Sequence, residues 1–329
     1  MMMSSYRPQT TSLVIVAALA CVAAACSPDF EPYNEVHNLR VLAVRAEPPQ
    51  LPPDESATLD LLVHVEPDDP RPVTYHWSWC PFSAGSTSGY TCATDRDTLQ
   101  ALIDEAAPGV VEVPGFDLGT SATATLPYPV PPVVLQAACQ QLLMQDVPDF
   151  LELPDCVTGF PVLIKVEVRQ GDDVITAVKE VKLLYGANEA PNANPALSGA
   201  SIFESKAGPS TSVVLGEEPV ALRRGLLHRW HVELEAGEAE LFQPSPRPED
   251  PDPAPAHESL AVSWFAQGGE MEYRRTGYIE DFTTFEQATA NAWTTPTTKE
   301  FDGESMSIYM VVRDNRGGVG WLSRQVTFR

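Results

Sequence analysis

Alternation of apolar and polar residues is the feature that most constrains the fold of this chain. Apolar residues occupy every second position from 57 to 65, from 73 to 79 and from 162 to 168. A period of two, carried by β-branched and aromatic side chains, is typical of half-buried strands. Prolines separate these runs and are densest between Gln243 and His257. The pattern therefore predicts a mainly β chain.

The same arrangement of strands occurs twice in the sequence. In the first half, a Trp-bearing strand at 73–79 is followed later by a hairpin at 162–184. In the second half, Trp264 lies on a strand, and a hairpin spans 306–328. The turn of the second hairpin, at 314–318, contains Asn and Gly, which adopt positive φ angles at low cost. The repetition predicts two antiparallel β-sandwiches.

Composition suggests how the chain is divided. We expect a signal peptide at 1–25, a tether at 26–35 and a first sandwich at 36–186. A linker rich in Asn, Ala and Pro at 187–197 precedes a second sandwich at 198–329. Because that linker offers little to bury, the two halves are expected to fold independently.

An insertion of about 80 residues is predicted in the first sandwich, at about 80–160, where four cysteines lie. Within it, 98–107 and 132–145 have helical spacing, so the insertion is expected to be partly helical. It either caps one end of the sandwich or forms a recognition surface, since loops on rigid scaffolds often carry function.

The N-terminus has the features of a signal peptide. Residues 13–25 carry no charge and form a run shorter than the roughly 20 apolar residues of a membrane-spanning helix. The run ends in Ala23-Ala24-Ala25-Cys26, which resembles a bacterial lipobox with Ala23 where that family usually has Leu. The resemblance implies cleavage before Cys26 and acylation (palmitate or a similar chain) of its thiol. Cys21 is a second candidate, and an ordinary secretory signal is the alternative.

An acylated Cys26 would fix the protein to a membrane, because each buried methylene contributes about 0.8 kcal/mol. Ser27 follows Cys26. By resemblance to Gram-negative lipoproteins, a residue other than Asp at this position implies the outer membrane. Whether the protein faces the periplasm or the cell surface is left open.

The remaining four cysteines predict disulfides, because an even number in an oxidising compartment favours pairing. Three pairings are compatible with the sequence, and we predict the sequence-local one, Cys80–Cys92 and Cys139–Cys156. Metal binding is the rival interpretation. No two of these cysteines have the C-x₂₋₄-C spacing of zinc sites, so no metal is predicted.

Charge and motifs exclude several classes of function. The formal net charge of −24 repels nucleic acid and anionic lipid headgroups. No phosphate-binding or dinucleotide-binding motif is present, so no cofactor is predicted. The segment Gly85–Gly89 has Thr87 where a nucleophile elbow has Ser. His228 and His231 are three apart, which on a strand places them on opposite faces. No catalytic residue is predicted.

Two segments resemble known families. Residues 307–318 resemble the closing strands of PKD and other immunoglobulin-like domains. Residues 38–49, shortly after the lipobox, resemble the start of the immunoglobulin-like lipoproteins that are common in myxobacteria and their relatives. The resemblance implies two immunoglobulin-like sandwiches on a lipid-anchored envelope protein.

Three functions follow as hypotheses. The leading one is a non-catalytic envelope lipoprotein that binds or spaces an envelope protein or polysaccharide. The first alternative is a carbohydrate-binding lipoprotein that stacks sugars on Tyr90, Tyr278 and Trp293. The second is a hydrolase built on the insertion. A row of exposed rings would favour the carbohydrate-binding protein, and a pocket with paired carboxylates would favour the hydrolase.

Overall fold

The computed structural model describes residues 32–106, 109, 112–144, 159–186, 191–244 and 250–329. The first half contributes these described elements: β1 (Arg40–Glu47), β2 (Gln50–Leu51), β3 (Ser56–His64), β4 (Val73–Cys80), α1 (Arg96–Ala106), β5 (Asp117–Gly119), β6 (Ala124–Pro127), α2 (Pro132–Met144), β7 (Gly159–Gln170) and β8 (Asp173–Leu184). No helix of the described residues is long and apolar enough to cross a membrane.

The second half is also built mainly from strands. Its described elements are β9 (Gly199–Glu204), β10 (Val213–Val214), β11 (Val220–Leu222), β12 (Leu227–Glu233), β13 (Leu241–Phe242), β14 (Ala256–His257), β15 (Leu260–Ala266), β16 (Glu270–Met271), β17 (Arg275–Tyr278), α3 (Phe285–Thr289), β18 (Ala290–Thr294), β19 (Ser305–Asp314) and β20 (Val319–Phe328).

Each half is a sandwich of two sheets. The sheets of the first half have the strand orders β1-β3-β6 and β2-β8-β7-β4-β5. Those of the second half are β10-β9-β12-β18-β16 and β11-β20-β19-β15-β17, and β13 and β14 form a separate two-stranded ribbon. The short strands β2 and β11 run parallel to β8 and β20, whereas the other neighbours are antiparallel.

One five-stranded sheet of each half has the same strand order. In each of these sheets, a short edge strand pairs with the last strand of the half, and the last strand pairs with the penultimate one. The penultimate strand then pairs with the Trp-bearing strand. Two packed sheets with a buried Trp on a central strand are the arrangement of immunoglobulin-like sandwiches. The predicted fold class, two such sandwiches in a mainly β chain, is therefore confirmed. The predicted domain boundaries stay predictions.

The first core follows from the alternation on β7. Val162, Ile164, Val166 and Val168 are all buried. Lys165, between them, points away from this core and pairs with Glu167 on the same outer face, at an N–O distance of 3.2 Å. Period two thus places one face of β7 inside, as predicted.

The Trp residues of the first half are also buried, and both indoles are satisfied. Trp77 Nε1 donates to the Ser121 carbonyl at 3.0 Å, and Trp79 Nε1 donates to the Gly115 carbonyl at 2.9 Å. A buried indole N–H usually has such an acceptor. Both acceptors lie in the segment around β5, so this segment closes the core over the Trp-bearing strand.

Three Trp residues form the centre of the second core. The ring of Trp230 packs edge-on against those of Trp264 and Trp293, with centroid distances of 5.8 and 4.9 Å. The alternation on β12 buries His228 on the same side as Trp230 and exposes His231 on the other. The prediction that these two His residues lie on opposite faces is confirmed.

The predicted insertion is not a single block. Residues 117–119 form β5, which pairs with β4, and residues 124–127 form β6, which pairs with β3. Two strands of the sandwich therefore interrupt the segment, and α1 and α2 lie on either side of them. A three-residue and a four-residue strand are too short to be recognised by periodicity, which is why the sequence did not reveal them.

The helices and one disulfide agree with expectation. Helix α1 begins after Asp95, whose carboxylate accepts a hydrogen bond from the Thr98 backbone N–H at 2.8 Å, a typical N-cap contact. Cys80 and Cys92 form a disulfide. Cys139 is disulfide-bonded as well, and Cys156, its predicted partner, lies outside the described residues.

Candidate functional site: the junction between the sandwiches

A third apolar core lies between the two sandwiches. The half-buried Trp321 packs against this core. Its buried residues come from both halves and are Val36, Leu42, Ala43, Leu62, Phe265, Tyr309, Val311 and Val319. Each fully buried Val, Leu or Phe contributes about 1.5–3 kcal/mol relative to an exposed one. The halves are therefore packed against each other, which the expectation of independent folding did not foresee.

Strand β19 is buried on both faces. Ile308, Met310 and Val312 face the core of the second sandwich, whereas Tyr309 and Val311 face the junction. Five consecutive apolar residues, 308–312, indicate a strand that is covered on both sides. This run was the signal in the sequence that could have revealed the junction.

A β-bulge in β1 supplies a side chain to the junction. The register with β3 shifts between Val41 and Ala43, so that Leu42 has no partner of its own. Bulges commonly redirect a side chain in this way. Leu42 joins the shared core, and its backbone carbonyl accepts a hydrogen bond from Arg313 Nη2 at 2.7 Å. The bulge thus joins β1 to the second sandwich by an apolar and a polar contact.

A buried polar pair crosses the junction. A hydrogen bond of 2.8 Å joins His64 Nδ1 on β3 to the Tyr309 hydroxyl on β19. Burial lowers the pKa of His64 and raises the pKa of Tyr309, because it disfavours the charged form of each. Both rings are therefore neutral at pH 7. Because a buried polar group without a partner costs free energy, the pair fixes how the sheets are placed relative to each other.

The linker is held by hydrogen bonds on both sides. Asn194 Nδ2 donates to the Ala46 carbonyl at 2.8 Å, and Asn194 Oδ1 accepts from the Val319 backbone N–H at 2.8 Å. A Cβ at position 320 would overlap the Pro195 carbonyl oxygen, so the close approach of linker and β20 requires Gly320. The described part of the linker is therefore packed, although its composition predicted little contact.

The tether is also partly docked. Val36 N donates to the Ala266 carbonyl at 2.9 Å, and Ala266 N donates to the Asn34 carbonyl at 3.1 Å. Tyr33 packs against Phe265 with a centroid distance of 5.4 Å. The residues before the first sandwich therefore lie along β15 of the second one, rather than forming a free tether up to residue 35.

A charged network lies at the linker side of the junction. Arg316 Nη1 lies 3.0 Å from Glu258 Oε1 and 3.3 Å from Glu240 Oε2. Glu258 is only 1% exposed. Its burial raises the pKa of the Glu258 carboxyl to about 7, with a further rise from Asp314, although Arg316 acts in the opposite direction. The desolvation of the carboxylate therefore outweighs its ion pair.

This raised pKa predicts that stability depends on pH. A Glu in an unfolded chain has a pKa of about 4.3, so the folded state binds the proton of Glu258 more tightly than the unfolded state does. The resulting stabilisation is complete below the unfolded pKa of about 4.3 and is lost as the pH rises through the folded pKa of about 7. We expect Glu258 to make the free energy of unfolding, measured with urea, fall between about pH 5 and about pH 8, against an opposite slope from His64 and His228, whose pKa values burial lowers.

Glu258→Gln, which is neutral at every pH, should reduce that fall, and Glu272→Gln serves as the control because Glu272 is exposed. An equal fall in the Glu258→Gln variant and the wild type would contradict the assignment to Glu258.

The predicted ligand-contacting aromatics do not come together. Trp293 is only 1% exposed, and its Nε1 donates to the Gly268 carbonyl at 3.1 Å. The prediction that Trp293 contacts a ligand is wrong, because the ring is buried in the core of the second sandwich. Tyr278 is half-buried against Phe285, with a centroid distance of 5.0 Å. Tyr90 is half-buried in a loop of the other half, with a φ of 57°.

Exposed rings occur where the sequence did not point to them. Phe282 is 84% exposed at a turn in which the Ile279 carbonyl accepts the N–H groups of Phe282 and Thr283. Tyr273 is exposed as well. No periodicity marks such positions, because exposure in a turn depends on how the chain is folded around it.

The carboxylates of the described part of the junction are engaged in contacts within the protein. No group of three or more His, Cys, Asp or Glu is placed to hold a metal ion among the described residues. Glu258 and Glu240 come together as a carboxylate pair, but Arg316 bridges them and Glu258 is closed to substrate. The arrangement is that of a structural ion-pair network. Cys26 lies outside the described residues.

Comparisons with known proteins find no matching family and no matching curated protein. Solved structures match weakly. The chimeric titin Z1Z2 is 11% identical, covering 88% of this chain and 99% of that one, with a TM-score of 0.19. The Ig1-2 module of Drosophila receptor protein tyrosine phosphatase DLAR is 7% identical, covering 89% and 100%, with a TM-score of 0.24. Such slight likeness carries no argument, and the immunoglobulin-like fold rests on the strand order.

Proposed function

We propose that this protein is a non-catalytic lipoprotein of the bacterial outer membrane that acts as a rigid binding or spacing module. The junction is the observation that supports this function. Its shared core, the His64–Tyr309 pair and the hydrogen-bonded linker join two sandwiches into one body. A fixed geometry suits a module that holds a binding surface at a set distance from its anchor.

The docked segment before β1 limits how far an anchored protein would stand from the membrane. From Cys26 to Asn34 there are 34 − 26 = 8 residues. Fully extended, they span at most about 28 Å. If Cys26 carries the lipid, the end of β15 where Asn34 docks stays within this distance of the membrane surface. The proposed partner, an envelope protein or polysaccharide, would then bind to the parts that point away from the membrane.

The anchor is tested with a fatty-acid analogue that labels lipoproteins in growing cells. We expect the wild type to incorporate the label and Cys26→Ser to incorporate none, because the thioether cannot form without the thiol. Cys21→Ser is the matched control, since it removes the second candidate, and it should be labelled as fully as the wild type. Label on Cys26→Ser, or its loss in Cys21→Ser, would contradict the assignment.

A further inference from the structure

A cavity of about 260 Å³ lies at the junction, beside the turn that joins β19 to β20. Strands β1 and β8 of the first sandwich form one wall, and residues 313–319 form the other. Lys179 and Arg313 bring positive charge to it, and Asp314 brings negative charge. The aliphatic part of the lining is Val41, Leu42, Ala43, Val44, Ala177, Val178 and Val319.

Both cations of the cavity donate hydrogen bonds to backbone carbonyl groups. The chain contains 45 acidic and only 21 basic residues. Nevertheless, neither Lys179 nor Arg313 forms an ion pair with a carboxylate of the described residues. Lys179 donates to the Gly317 carbonyl, and Arg313 donates to the Leu42 carbonyl at 2.7 Å. Carbonyl groups satisfy these donors but carry no net charge to set against the two cations.

Asp314 favours the charged form of Lys179 through space but does not pair with it directly, because other groups hold its carboxylate. Its Oδ1 accepts the backbone N–H groups of Arg316 and Gly318, at 2.8 and 2.7 Å. Its Oδ2 accepts from Asn192 Nδ2 at 3.0 Å. The carboxylate thus shapes the turn and holds the linker, while Lys179 stays more than an ion-pair distance away.

Burial makes these two positive charges costly. It lowers the pKa of Lys179 to about 8, although the nearby Asp314 acts against this, and it lowers the pKa of Arg313 as well. A partly desolvated cation is stabilised when an anion lies beside it. Among groups that could occupy this cavity, an anionic one therefore gains most.

We propose that this cavity binds a small organic carboxylate, with its anionic head between Lys179 and Arg313 and its apolar body against the aliphatic wall. A guanidinium group presents its N–H donors in a fork that matches a carboxylate. The volume is just below that of pockets for drug-sized ligands, about 300–1,000 Å³, so the ligand is small. This site is independent of the proposed function, because it requires neither the anchor nor a macromolecular partner.

The test uses hexanoate as the probe and the purified full chain. Isothermal titration calorimetry should show saturable binding to the wild type. Lys179→Met keeps the unbranched stem and removes the charge, so it should weaken binding by about tenfold or more. Lys206→Met is the matched control, because Lys206 is exposed outside the cavity, and it should bind as the wild type does. Equal binding to the wild type and Lys179→Met would overturn the proposal.

The chemical class of the ligand is tested with two further probes. Hexanamide has the same apolar body without the charge, and it should bind at least about tenfold more weakly than hexanoate. Binding of hexanamide as tight as that of hexanoate would overturn the role of the cations. Binding of inorganic phosphate but not of hexanoate would overturn the carboxylate and the apolar wall. No binding of any probe would overturn the site.

Stability gives an independent readout that does not depend on calorimetry. Hexanoate should raise the urea midpoint of the wild type, since a ligand of the folded state stabilises it. It should leave the midpoint of Lys179→Met nearly unchanged. Arg313→Met provides a second variant with the same expectation. If hexanoate shifted the midpoints of both variants as much as that of the wild type, the stabilisation would come from elsewhere and the proposal would fail.

Discussion

Replacing Trp264 with alanine is expected to lower the free energy of unfolding of the second sandwich by about 3–5 kcal/mol. The indole is fully buried, packs against Trp230 and donates from Nε1 to Thr276 Oγ1 at 3.0 Å. Its loss creates a cavity and removes that hydrogen bond. A domain is stable by only about 5–15 kcal/mol, so this is a large fraction of the total.

Hydrogen exchange shows where the loss occurs. The amides of β19 should lose protection in Trp264→Ala, whereas those of β7 should keep most of it, because β7 packs on a different core. Phe282→Ala is the matched control, since this ring is 84% exposed, and its effect should stay within about 0.5 kcal/mol. Similar effects of the two substitutions would show that Trp264 is not a core residue.

Replacing Val311 with lysine is expected to open the junction. Val311 is fully buried in the shared core, and Arg313 lies two residues further along the same face of β19. An ammonium group there is unpaired and close to a like charge, which costs several kcal/mol. Separation of the two sandwiches lets water reach the lysine. We therefore expect the sandwiches to separate while the core of the second sandwich stays folded.

Small-angle scattering measures this opening as a rise in the radius of gyration. Urea unfolding should change from one transition to two, because the halves no longer stabilise each other. Val214→Lys is the matched control, since Val214 is 65% exposed on β10, and it should leave both measurements unchanged. If Val311→Lys kept the wild-type radius, the shared core would not hold the halves together.

The pattern of residues within short segments predicted the strands, turns and helices that depend on local interactions. The alternation on β7, the two Trp-bearing strands, the hairpin turns and both helices of the first half were all predicted from short segments. A strand requires only that every second side chain find an apolar environment, and a turn requires only a few permissive residues. The pairing of Cys80 with Cys92 was likewise within reach, because the two residues are close in sequence.

The sequence predicted the candidate site less well than the fold, because the type of a residue does not decide whether its side chain is exposed. Trp293, chosen as an exposed ring, fills a core, whereas Phe282, which was not chosen, is exposed. An aromatic residue is suitable for either environment, and only the surrounding chain decides between them. The anchor at Cys26 stays a prediction, as does the pairing of Cys139 with Cys156.

The sequence by itself thus determined a mainly β chain of two repeated sandwiches, since periodicity and turn chemistry act over a few residues. Only the tertiary structure decided that the sandwiches share a core, that the linker is packed, and that Lys179 and Arg313 meet in one cavity. Lys179 and Arg313 are 134 residues apart (313 − 179) on different sandwiches. The physical reason is that burial and charge compensation depend on which surfaces meet, and this depends on the whole chain rather than on any segment of it.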